Sequence, residues 1–168
     1  AHANSLSNHR LGLAMARLDA ADWQTPRTSF FPSLALTLNH LLAVDLYYIG
    51  ALHGERGLRA AYHAFVPADT VAALAPRQAA SDERLIAWCD ATDVGALDAV
   101  IDMERADHVQ RDRAGHVLAH LLNHQVHHRG QVHAMLAGSA VKPPQLDEFM
   151  MPSEAHLRER DMAALGWR

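Results

Sequence analysis

His116-Val-Leu-Ala-His120-Leu-Leu-Asn-His124-Gln-Val-His127-His128-Arg-Gly-Gln-Val-His133 carries both the architecture and the chemistry of this chain. The histidines at 116, 120, 124 and 128 follow one another at i, i+4, a spacing that stacks side chains on one helix face. Val117, Leu118, Leu121, Leu122, Val126, Val132, Met135 and Leu136 recur around them with a helical period. The segment therefore reads as a long amphipathic helix with imidazoles along one edge of its apolar stripe. Random placement of 13 histidines in 168 residues gives about one i, i+4 pair, and this helix alone holds three.

A metal ion explains the excess. Two imidazoles one turn apart can reach one cation. The ladder drifts by roughly 40° per step, so its four rungs cannot all meet one ion. His124 and His128 are the preferred pair, and His120 with His124 the competing one. An exposed or half-buried histidine-rich face without metal is the plainer reading. A third ligand has to come from another helix.

Outward from this helix, the composition is that of a one-domain globular protein, 49% apolar and 20% charged. A net charge of −4 gives no electrostatic footprint for nucleic acid or an anionic membrane. The single cysteine, Cys89, rules out an intramolecular disulfide and reads as a small buried apolar residue rather than a reactive thiol. No apolar run is expected to reach transmembrane length, and Ala1-His-Ala-Asn-Ser5 shows no signal-peptide pattern. A cytoplasmic protein with a small-molecule substrate, no nucleic acid and no membrane partner is the expectation.

Taken in order, the chain predicts a first helix from Asn4 to about Ala21. A second follows Pro32 and runs to about Leu52, with Thr28 or Ser29 as cap. The second helix is apolar nearly all round, so it belongs in the centre. His40 and Asp45 are its main polar groups. A lone buried histidine is usually a satisfied core residue, but here a facing helix offers a histidine pair. Asp45 could orient a ligand from behind or serve as a structural acceptor. Leu58 to Pro76 reads as a long connection with a short turn near Asp69 to Leu74. A third helix is expected from about Gln78 to Asp93, then a crossing from Val94 to Arg113 that includes a short hairpin. Asp112 caps the histidine helix, which ends at Gly138. Gln145 to Met151 reads as a short coil, and Ser153 starts a last short helix. The sum is an all-α four-helix bundle.

Other chemistries find no support. There is no His-Glu-x-x-His, no pair of Glu-x-x-His motifs, no phosphate-binding glycine loop and no Gly-x-Ser-x-Gly elbow. Glutamate is absent from the histidine helix, which weakens hydrolysis as the reaction. Arg129 could bind an anionic substrate or make a structural ion pair, and Gln131 could orient a ligand or simply pack.

Thr37-Leu-Asn-His40-Leu-Leu, followed by Leu122-Asn-His124-Gln-Val-His127-His128-Arg-Gly-Gln131, resembles the DinB/YfiT-like family of bacterial metal-binding proteins. Ser29-Phe-Phe-Pro-Ser33, Leu146-Asp-Glu-Phe and Leu165-Gly-Trp fit the same pattern, whereas the family's aromatic positions in the first helix are not kept. The resemblance implies one domain over residues 1–168, folded as an up-down-down-up four-helix bundle with a short C-terminal helix, often a homodimer. It implies one divalent metal, zinc or nickel, held by His40, His124 and His128. His127 and His133 then point elsewhere. Some relatives are transferases or isomerases that use a low-molecular-weight thiol such as mycothiol, bacillithiol or glutathione. The expectation is a metal-dependent thiol S-transferase with an open three-histidine site. A metal-dependent hydrolase and a non-catalytic metal-binding stress-response protein are the alternatives.

Overall fold

The computed structural model describes residues 1–147 and 151–167. The chain is mostly helical. Helices α1 (His2–Met15), α2 (Leu34–Leu52), α3 (Leu58–His63), α4 (Val71–Ala91), α5 (Ala114–Ala137) and α6 (Ala155–Ala164) are its main elements, with short 3-10 turns in some of the connections. One hairpin, β1 (Val100–Glu104) and β2 (Val109–Arg113), lies between α4 and α5. The hairpin falls within the crossing from Val94 to Arg113 and adds a small two-stranded sheet to the mostly helical fold. Its strands pair antiparallel with Val100 opposite Arg113 and Glu104 opposite Val109, and the Arg105 amide closes the turn onto the His108 carbonyl. The part of the Gln145 to Met151 coil formed by residues 148–150 lies outside the described residues.

Several boundaries differ from the sequence expectation for local reasons. The cap of α2 is Ser33, whose hydroxyl accepts from the Leu36 amide at 3.1 Å, so Pro32 sits before the helix rather than in its first turn. Helix α4 begins at Val71, capped by the Thr70 hydroxyl, and contains Pro76. That proline is solvent-exposed, so the Ala72 carbonyl left without its helical donor faces water. The first helix stops at Met15. Helix α5 opens at Ala114 behind Arg113, with no side-chain cap from Asp112.

Helix α2 is central and packs against α5, α4, α3 and β1. Contrary to the expectation above, it is long and apolar enough to cross a membrane by length and composition, yet 72% of that window is buried inside the protein. Two apolar clusters make the core. One gathers Leu11, Trp23, Leu38, Leu74, Val132 and Leu136, and the other Ile49, Leu52, Leu85, Met103 and Leu121. By residue order, α2 and α4 run from the first cluster to the second, and α5 runs back. Ala1 packs on the second cluster and Leu11 to Met15 lie in the first, so α1 also runs from second to first.

A polar layer separates the clusters. Asn4 and Asn8 of α1, Asp45 of α2, Gln78 and Asp82 of α4, and Gln125 and Arg129 of α5 meet there. The Gln78 amide donates to Asp45 Oδ2 at 2.9 Å, and the Gln125 amide donates to the same oxygen. Arg129 donates to Asn4, to Asn8 at 3.1 Å and to Gln125 Oε1 at 2.9 Å. Asn8 in turn donates to Asp82 at 2.9 Å. A buried guanidinium beside two buried carboxylates offsets part of the desolvation that each would suffer alone.

Candidate metal centre

The imidazole ladder winds from solvent into the protein. His116 and His120 are exposed, His124 is half-buried and His128 is buried. This is the drift expected of i, i+4 steps on a 3.6-residue helix. His40 faces the ladder from α2, which packs on α5. His40, His124 and His128 each offer a ring nitrogen, and these atoms all lie within 4.8 Å of one another. His40 Nε2 and His124 Nε2 are 3.1 Å apart. Two nitrogens bound tetrahedrally to zinc stand about 3.3 Å apart, given Zn–N distances of roughly 2.0–2.1 Å. The donor set and its spacing therefore fit a divalent ion.

The electrostatics agree. Burial pushes all three imidazoles below their ordinary value, His124 to about 4, and each is further opposed by its neighbouring histidines. Neutral rings with free lone pairs are the form that a cation requires. His128 Nδ1 lies 2.8 Å from Gln131 Oε1. An amide oxygen can only accept, so Nδ1 carries the proton and Nε2 keeps its lone pair. The Gln131 amide nitrogen is in turn 3.0 Å from His127 Nε2. Among the described residues, His124 Nδ1 is buried and has no partner.

Phe31 closes one side. Its ring centroid is 4.5 Å from that of His40 and 5.7 Å from that of His128. On the other side Tyr48 packs on His120 at 5.0 Å, and His120 lies 6.2 Å from His124. The sequence reading assigned neither Phe31 nor Tyr48 to the site. Phe31 stood in a motif it quoted, whereas Tyr48 had only its i+8 spacing from His40 as a signal.

The remaining sequence candidates fall in different places. Asp45 and Arg129 belong to the polar layer, and no hydrogen bond joins either to the three imidazoles among the described residues. Burial pushes the Asp45 carboxyl up to about 7, against the pull of hydrogen bonds from Gln78 and Gln125. His133 turns away to the Pro144 carbonyl at 3.0 Å. Cys89 is half-buried against the second apolar cluster, and burial pushes its thiol up.

A family model described as the DinB family matches residues 2–162. No curated protein matches the chain.

Proposed function

The chain belongs to the DinB family, and we propose that it binds one divalent metal, zinc or nickel, at His40, His124 and His128 and acts as a transferase using a low-molecular-weight thiol. The single observation that carries this reading is the cluster of three neutral imidazoles, which no carboxylate joins among the described residues. Three neutral ligands leave a divalent ion its full positive charge, which favours a thiolate over a thiol. The protein's own part is to hold the three rings, to fix the His128 tautomer through Gln131, and to keep water off one side with Phe31. We take the architecture as an up-down-down-up four-helix bundle, supported by the sense in which α1, α2, α4 and α5 run between the two apolar clusters.

Hydrolysis needs a general base near the nucleophile. Asp45, the one candidate from the sequence, is enclosed in the polar layer and already accepts from two glutamines, which weighs against that alternative.

The test is elemental analysis of protein purified without a metal-affinity step. One equivalent of metal, lost in His124→Ala, is expected. Titrating the cobalt-loaded protein with glutathione, bacillithiol and mycothiol then reads the thiol. Absence of metal in the wild type after reconstitution overturns the whole reading, and a cobalt spectrum indifferent to all three thiols overturns the transferase.

A further inference from the structure

Further along α2 from His40 lies a concavity of about 300 Å³. Tyr47, Tyr48 and Tyr62 supply three aromatic rings, and Arg59, Arg105 and His63 supply the basic groups. The Tyr47 ring stands edge-on to both other tyrosines, with centroids 5.2 and 6.1 Å away. The Arg105 guanidinium lies 5.5 Å from the Tyr47 centroid and 6.0 Å from that of Tyr48. It also donates to Gln110 at 2.8 Å and to the Tyr47 hydroxyl at 3.4 Å, so its plane is fixed.

The charge of this wall is not balanced. Among the described residues no carboxylate pairs with Arg59 or Arg105. The one acid in the lining, Glu104, turns its two oxygens to the amides of Gly57 at 2.7 Å and Arg59 at 3.2 Å. Two permanent cations thus face one carboxylate already engaged by backbone, in a chain whose net charge is −4.

The concavity and the histidine cluster lie along the same helix. His40, Val44 and Tyr48 follow one another at i, i+4 and form one stripe of α2. Val44 and Tyr48 line the concavity, about 6 and 12 Å along the axis from His40. Tyr48 contacts His120 of α5, and His120 contacts His124, which links the lining to the histidine cluster.

We propose that this pocket holds the head of the substrate, and that the head is a small aromatic carboxylate. The flat ring packs among the tyrosines and the carboxylate is met by Arg59 and Arg105, leaving the other end of the molecule to reach the three histidines. The volume suits a single ring with its acid group. The assignment rests on the reading of the histidine cluster as the reactive centre.

The experiment titrates benzoate into the full-length, metal-free protein and follows the amide resonances by NMR. Saturable shifts centred on Tyr62 and His63 are expected. Benzamide, of the same shape without the charge, binds at least tenfold more weakly. Arg59→Gln weakens benzoate at least fivefold, and so does Tyr62→Ala. Both residues are exposed, so the variants fold, which a melting curve checks. Shifts that do not saturate, that centre elsewhere, or that benzamide reproduces at equal concentration overturn the pocket. Because the titration needs no metal, the two readings fail separately. Benzoate binding in a protein that takes up no cobalt refutes the metal centre alone, and cobalt uptake without benzoate binding refutes the pocket alone.

Discussion

The substitution Asp45→Asn should change how the stability of this protein responds to pH, by an amount the structure sets. Asp45 is enclosed, and burial carries its carboxyl from the ordinary 3.8 to about 7. Because the folded-state value is raised, the folded protein keeps a proton that the unfolded chain has already released between those two limits. The stability contributed by this group is therefore complete below pH 3.8 and lost as pH rises through 7. The slope is about 1.4 kcal/mol per pH unit, which amounts to about 3 kcal/mol between pH 5 and pH 8. An asparagine at this position would carry no such proton. Its amide oxygen can still accept from Gln78 and Gln125, and any fixed cost of an unpartnered N–H is the same at every pH. The assay is urea unfolding followed by circular dichroism at pH 5 and pH 8, with a chelator present so that metal binding to the histidines does not enter. Every other ionisable group is common to both proteins, and its contribution largely cancels in the difference. The variant should gain about 3 kcal/mol on wild type across the interval. A difference between the two proteins that stays constant within about 0.5 kcal/mol would show that Asp45 is ionised in the fold throughout, and the reasoning would be wrong.

Two further outcomes follow from the site and the core. Gln131→Leu removes the oxygen that holds the His128 Nδ1 proton, so metal affinity measured by competition with a chelator should fall about 10–100-fold with one equivalent still bound at saturation. Leu121, fully buried in the second cluster, should cost about 3 kcal/mol when cut to Ala, read as a shift in the urea midpoint without change in slope.

The strongest periodicities were legible in the sequence. Helices α2 and α5 carry long apolar runs, and the preferred pair His124 and His128 on α5 together with His40 on α2 form the cluster found. What escaped had weak or contrary local signals. Pro76 reads as a breaker, and only its exposed place on α4 makes it tolerable there. Helix α3 buries Leu58 alone, so its sequence shows no stripe. The sequence places a short hairpin between Val94 and Arg113 without fixing its strands, because Val100 and Ile101 are both apolar and blur a period of two. The polar layer was the deeper miss. Asn4, Asn8, Gln78, Asp82 and Gln125 are each ordinary in the chain, and only the meeting of four helices gives them a common purpose.

That layer also bears on how the histidines keep their places. A helix that is apolar nearly all round, as α2 is, loses little burial if it rotates about its axis, and each residue of slip turns it by about 100°. Hydrophobic packing alone would therefore leave the direction of His40 loosely set. Asp45 behaves as a locating pin: its carboxyl finds both glutamine donors at one rotation of α2 and one height against α5. The accuracy of the imidazole cluster is thus machined by groups that, among the described residues, make no hydrogen bond to its imidazoles. Grafting the three histidines onto another bundle would carry over the ligands and leave behind the part that aligns them.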